Sequence, residues 1–497
     1  MIYVVLLLAL LLRLPLLSGS FWLDEAAQFL ESARPLAQQL SIKDDFQPPL
    51  MHLLTFVSIR LGGLVNLDRT EWWLRLLPSL LPGIVTVYAT YRLGLKLANR
   101  KVALLASLFL ATSSLHIFYS QELRPYSLSA MFGILATWQL LTMLANQAKA
   151  RPTHDKLTTK FAAKPALLFT LFSILGLYSS YLYPFLLIGQ FVYLFYQKLP
   201  RQKILLLGSI LILSFLPWLP KFFEQLNAGQ ALRLSMPGWD QVVSLPQLKT
   251  AFLVPLKFVF GVSDLTFNLP YILLTLAVFL PLTYFIYLAI KQNNLQLSFF
   301  LAILFLPLLL SWLVSFFVPI LQAKRVLFLL PIFALLEALL INLNKKAHPH
   351  LAKIALSAIL VINLTSTFAY WSKPQLQREN WRALSQEIAH KFPKNETALV
   401  FSFTAPFAPW EFYDQTNFQT FSTGVYYLNQ LSDPQVLFKD LTNYHYVLVF
   451  DYLRDLTDPD NLLLQIVTDL GFREFGVLDY PQIGFVRIYS LSNFALK

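Results

Sequence analysis

Hydrophobic residues fall in long blocks along this chain, not in the short alternations of a soluble fold. Apolar runs of roughly 17–25 residues, each long enough to cross about 30 Å of hydrocarbon, recur as far as about residue 370. Candidate spans cover residues 2–17, 72–94, 102–119, 124–146, 165–181, 183–198, 203–220, 268–290, 297–318, 326–343 and 351–370. The segment 50–66 is apolar but short, and it carries His52 and Arg60. Beyond Lys373 the pattern changes. Residues 379–392 (ENWRALSQEIAHKF) predict an amphipathic helix, 398–403, 446–452 and 485–491 predict strands, and 462–470 predict a helix. Such an alternation points to a small α/β domain of about 120 residues. The expected architecture is an α-helical polytopic membrane protein of about eleven transmembrane helices. Residues 1–371, with a first outer loop at 18–71, form the membrane domain, and 372–497 form a soluble α/β domain.

Composition sharpens this picture. The 497 residues are 56% hydrophobic, and the mean hydropathy is +0.55. No small-residue cleavage site follows residues 1–17, so they read as a span and not as a cleaved signal. With no cysteine, disulfides, thiolate catalysis and cysteine-ligated metals are excluded. The net charge of +12 is unevenly placed: from Trp371 onward there are ten basic and fourteen acidic residues. The positive excess therefore lies between hydrophobic segments, where it sets orientation, and does not indicate a nucleic-acid partner. Four basic loops stand out: Arg92, Lys96, Arg100 and Lys101; Lys149, Arg151, Lys156, Lys160 and Lys164; Lys198, Arg201 and Lys203; Lys345, Lys346 and Lys353. All four reach the cytoplasm if 50–66 does not fully cross. The loops 18–71, 120–124, 221–267 and 319–325 and the C-terminal domain then face outward, in a multi-pass protein of the cell (inner or plasma) membrane.

Candidate chemistry collects on that outer face. Asp24 and Glu25 follow the aromatic pair Phe21-Trp22 just after the first span. A carboxylate at this boundary can serve as general base, metal ligand or cation partner. Acids opening an Ala-rich helix also stabilise its dipole, by about 0.3–1 kcal/mol. Gln47-Pro48-Pro49 stiffens the approach to the next apolar segment, because each proline fixes φ. Ser120-Gln121-Glu122-Leu123-Arg124-Pro125-Tyr126 joins two spans, and Gln322-Ala323-Lys324-Arg325 enters another. Arg124 could hold a phosphate or snorkel at a helix end. Lys324 and Arg325 oppose the positive-inside trend, which makes them phosphate candidates. Cations plus one base suit displacement of a lipid phosphate: positive groups stabilise the charge growing on the leaving oxygen, and the base takes the acceptor's proton.

Several motifs together resemble the GT-C glycosyltransferases, in particular the group of protein O-mannosyltransferases and lipid A aminoarabinose transferases. They are Trp22-Leu23-Asp24-Glu25, Gln47-Pro48-Pro49-Leu50, Arg75-Leu76-Leu77-Pro78-Ser79, Tyr119 through Leu128, and Lys324-Arg325-Val326 with Leu329-Leu330-Pro331. The resemblance is strongest over residues 1–150. It implies inverting transfer from a polyprenyl-phosphate-linked sugar on the non-cytoplasmic face, to a glycan, lipid or protein acceptor. It implies Asp24 as the catalytic carboxylate with Glu25 beside it, and Arg124, Lys324 and Arg325 as donor-phosphate candidates. Gln47, Tyr126 and His52 are the substrate-binding candidates. Gln47 departs from the His or Lys common there, and a neutral amide adds no charge to phosphate binding.

His52 and His116 could each be a base or a ligand, although a lone histidine at a membrane boundary is more often structural. Asp24 and Glu25 with Asp44 or Asp45 could hold a divalent cation, but no spacing demands one, so no cofactor is required. Two rivals to the enzyme remain. A transporter or flippase for lipid-linked sugars would place ionisable or Gly/Pro-broken positions near the midplane of paired repeats, and no repeat is present. A non-catalytic scaffold would use the acidic outer domain to bind a partner.

Overall fold

The computed structural model describes all residues except 43–44, 151–155, 237, 239–246, 264–267, 293–295, 432–433 and 492–497. Asp44 and Arg151, named above, lie outside the described residues. By mutual contact the chain forms two compact units. The first comprises residues 1–18, 47–222 and 245–376, and the second 19–46, 223–244 and 377–497.

The first unit is helical. Six described helices are long and apolar enough to cross a membrane: Tyr126–Gln147, Arg201–Ser235, Leu269–Lys291, Gln296–Val314, Leu327–Asn344 and Pro349–Ser372. Four more apolar helices are shorter: Ile2–Leu11, Leu50–Gly63, Ala163–Leu177 and Tyr183–Tyr196. These described helices do not by themselves establish the expected count of eleven spans. Leu50–Gly63 has 14 residues, about 21 Å at 1.5 Å per residue, which falls short of the hydrocarbon thickness. Two expected spans are reshaped by local chemistry. The run 102–119 breaks at Ser113, whose extended ψ of 117° separates Arg100–Thr112 from Ser114–Tyr119. The run 72–94 continues from Glu71 to Leu97 through a single π turn at Leu76–Leu80 that contains Pro78. Proline removes one backbone donor, and the wider turn relieves the clash of its ring.

One polar knot fastens this unit. Arg13 is fully buried. Its Nη1 donates to the carbonyls of Ala9 (2.8 Å) and Ala111 (3.1 Å), its Nε to Ser120 Oγ (3.2 Å), and its Nη2 to His116 Nδ1 (2.6 Å). Gln121 donates to the carbonyls of Arg13 and Pro15 and accepts from the Tyr370 hydroxyl at 3.0 Å. Arg75, also fully buried, donates to the Leu17 carbonyl at 2.8 Å, and Ser79 donates to the Glu122 carbonyl. At Gly83 a Cβ would collide with Ser120 Oγ, so only glycine permits this approach.

The second unit is built on a five-stranded sheet: β1 Thr397–Phe401, β2 Gln419–Ser422, β3 Tyr446–Phe450, β4 Phe472–Tyr480 and β5 Gly484–Leu491. The strand order is β2-β1-β3-β5-β4. β1 pairs in parallel with β2 and β3, while β5 runs antiparallel to β3 and β4. β1 and β3 are buried throughout, as central strands covered on both faces must be. Leu399, Phe401, Leu448 and Phe450 pack on one face with Trp381, Leu384 and Trp410. Val400, Val447 and Val449 pack on the other with Leu463, Ile466 and Phe438. The expected helices appear at Trp381–Lys391 and Leu462–Asp469. β2 and β4 were not expected from the sequence. β2 has only four residues, and β4 is largely exposed and carries charge, so neither shows an apolar run.

Candidate active site

The stretch Phe21–Ala33 folds into the second unit. Phe21 and Phe29 pack on Phe412 with ring centroids 5.1 and 4.8 Å apart, and the Phe21 N–H donates to the Tyr413 hydroxyl at 2.8 Å. The helix Leu23–Ala33 begins after Trp22, which is extended and provides no side-chain cap. Asp24 and Glu25 occupy its first turn. Consecutive helical side chains point about 100° apart, and the two acids part accordingly. Glu25 is fully buried and Asp24 half-buried. Glu25 Oε2 meets Arg378 Nε at 3.3 Å, both side chains being nearly inaccessible.

The next residue, Glu379, is buried as well. It accepts from Trp381 Nε1 at 2.6 Å and from the Tyr452 hydroxyl at 2.8 Å. Burial pushes its carboxyl up to about 7; the Trp381 and Tyr452 donors oppose that rise, and the charge of Asp24 adds to it. The same environment holds the Tyr452 hydroxyl well above its ordinary value, through burial first and then the charge of Glu379. Sequence reasoning missed Arg378 and Glu379. The available signal was a charged pair directly before an indole at the mouth of an amphipathic helix.

The other sequence candidates belong to the first unit, which brings them together in pairs. The carboxamide nitrogen of buried Gln47 donates to His52 Nε2 at 3.3 Å. Lys324 Nζ lies 5.8 Å from the centre of the Tyr126 ring, so the segment bearing Arg124 and the one bearing Lys324 and Arg325 converge. Tyr126 itself packs edge-on against Tyr119, centroids 5.0 Å apart. Arg325 is half-buried and donates to the Pro319 carbonyl at 3.2 Å, and Arg124 is half-buried. His116 is accounted for by Arg13: a guanidinium only donates, so Nδ1 accepts and the ring proton sits on Nε2.

Among the described residues no group of three or more His, Asp or Glu side chains is placed to hold a metal ion. Glu25, one member of the suggested acid set, is matched to a guanidinium. Asp44, another member of that set, lies outside the described residues.

No protein-family model matches the chain, and no curated protein matches it in sequence. Solved structures do match over its whole length. ArnT from Cupriavidus metallidurans bound to undecaprenyl phosphate is 11% identical, with 99% of this chain and 97% of that one covered at a TM-score of 0.52. Oligosaccharyltransferase AglB from Archaeoglobus fulgidus, in complex with an inhibitory peptide and a dolichol-phosphate, is 12% identical, with 100% and 75% covered at 0.53. The Archaeoglobus fulgidus oligosaccharyltransferase complex with Zn and sulfate is 13% identical, with 97% and 72% covered at 0.51. At such identities the likeness establishes a shared fold.

Proposed function

We propose that this chain, which has the GT-C fold of membrane glycosyltransferases, transfers a sugar from a polyprenyl-phosphate donor to an acceptor hydroxyl on the extracytoplasmic face. Two of the structures that share its fold were solved with a polyprenyl-type phosphate, undecaprenyl or dolichol. The observation that carries the reading is the setting of two adjacent acids in the first turn of one helix. Glu25 is committed to Arg378, while Asp24 is half-buried at the helix start. Asp24 is the general base. It takes the proton of the acceptor hydroxyl as that oxygen bonds to the anomeric carbon. The bond from that carbon to the phosphate oxygen breaks on the opposite side, which inverts the configuration. The polyprenyl phosphate departs with the electron pair and needs no proton. Arg124, Lys324 and Arg325 are the cations for its charge, with Tyr126 holding Lys324. Gln47 and His52 form a neutral pair suited to a sugar hydroxyl.

The test is a panel of polyprenyl-phosphate sugars offered to purified protein in lipid nanodiscs, with products read by mass spectrometry. Transfer from at least one donor, lost in Asp24→Asn, is the expected result. Full transfer by that variant would remove the base. Because the chain has no cysteine, single-cysteine variants report sidedness. Ser41→Cys should react with an impermeant maleimide on intact cells and Lys346→Cys should not; the reverse would place the proposed chemistry on the other face.

A further inference from the structure

A cavity of about 500 Å³ opens in the first unit between the start of the helix Arg100–Thr112 and the end of the helix Leu327–Asn344. Its polar lining comes from Asn99, Arg100 and Lys101 on one side and from Asn342, Lys345 and Lys346 on the other. The four cations are exposed, and among the described residues none of them forms an ion pair. Neither segment carries a counter-ion of its own: no Asp or Glu occurs from Trp72 to Gln121 or from Ala338 to Arg378. The two asparagines have their acceptor oxygens engaged within their own segments. Asn99 Oδ1 accepts the N–H groups of Lys101 (2.9 Å) and Val102 (3.1 Å), and Asn342 Oδ1 accepts from Lys345 Nζ at 2.7 Å. Their amide nitrogens remain to be offered. The side chains of this cavity are therefore donors, with four positive charges that nothing in the chain balances.

Orientation in a membrane asks only that cations lie on one side. It does not draw two distant segments around one cavity, nor does it place Arg100 and Lys101 in the first turn of a helix, where the macrodipole favours acids. Like charges gathered in this way repel, and an anion between them removes that cost. Depth selects the kind of anion. Leu327–Asn344 is long and apolar enough to cross a membrane, so residues just beyond its end stand at the level of lipid headgroups. Leu343, which also lines the cavity, is 45% exposed and presents apolar surface beside the cations. We propose that this cavity binds the phosphate headgroup of an anionic phospholipid, with Arg100, Lys101, Lys345 and Lys346 around the phosphate and Leu343 against an acyl chain. The site needs neither Asp24 nor a sugar donor, so it stands or falls apart from the glycosyltransferase reading.

The test is native mass spectrometry of the full-length protein in detergent, titrated with phosphatidylglycerol or with phosphatidylcholine of the same acyl chains. Wild type should hold phosphatidylglycerol about tenfold more tightly. Arg100→Gln/Lys101→Gln/Lys346→Gln, which leaves the Lys345–Asn342 contact in place, should lose that preference. Arg100→Lys/Lys101→Arg/Lys346→Arg should keep it. So should a charge-matched control, Lys198→Gln/Arg201→Gln/Lys203→Gln, which removes exposed cations from another basic loop. Equal retention of the two lipids by wild type, or equal losses in the site and control variants, would overturn the site in favour of diffuse surface charge. Inorganic phosphate, added against sodium chloride at matched ionic strength, separates a lipid from a free anion. Phosphatidylglycerol should stay bound, and its displacement by phosphate alone would overturn the lipid assignment. Should the triple variant not fold, Lys346→Gln alone reads the same preference, with about a threefold loss expected; an unchanged preference there would overturn the proposal.

Discussion

Glu25 and Arg378 form an ion pair at 3.3 Å with both side chains withdrawn from solvent. Removing one partner of such a pair strands a charge where water cannot reach it. Arg378→Ala is expected to destabilise the second unit by about 3–5 kcal/mol, whereas replacing both partners with methionine should cost far less. Thermal unfolding of the full chain, followed by tryptophan emission, distinguishes the two. Similar losses for the single and double variants would mean that the pair contributes little.

The adjacent acids should respond differently to neutralisation. Asp24→Asn keeps size and shape but removes the proton acceptor, so turnover should fall about 100-fold or more with melting temperature nearly unchanged. Glu25→Gln should do the opposite, lowering stability through the stranded Arg378 while leaving the donor KM within a few fold. A steady-state comparison alongside melting curves checks both, and identical behaviour of the two variants would count against the separate roles.

Stability should depend on pH through Glu379. Its carboxyl binds a proton more tightly folded, at about 7, than at the ordinary value of 4.5. Between these values the folded state therefore holds more protons than the unfolded state. Its contribution is fully present below about 4.5 and declines as pH rises toward 7. Melting temperature measured across that window should fall more steeply for wild type than for Glu379→Gln. Parallel slopes would show that Glu379 is not protonated in the fold.

Lys324 and Tyr126 supply a test of donor recognition. Lys324→Ala removes a cation from the segment facing Tyr126 and should raise the KM for the polyprenyl-phosphate sugar about tenfold, with acceptor KM little altered. Tyr126→Phe keeps the ring face and should be nearly silent, while Tyr126→Ala should weaken donor use about as much as loss of the lysine. Equal effects on donor and acceptor would make the contact a packing feature.

Much of this architecture was legible in local pattern. The long apolar blocks, the change of character after residue 373, and the strands around Leu399, Leu448 and Ile488 follow from hydropathy, because lipid and sheet burial each impose their own period on the chain. Asp24 stood out for a similar reason, as an acid behind an aromatic pair where a span ends. Hydropathy gave no warning of Ser113 breaking one helix or of the π turn around Pro78, since both are set by backbone geometry and not by solvent preference. Arg13 lies within the first apolar run, and its value as a knot lies in His116 and Ser120.

What the sequence by itself determined was the class of the molecule and the type of residue available for chemistry, because solvent preference is a property of each residue. Only the tertiary structure decided which acid meets Arg378 and that Lys324 meets Tyr126. Those pairings join positions hundreds of residues apart, and charge or hydrogen bonding across a few ångströms leaves no mark on the spacing of the chain.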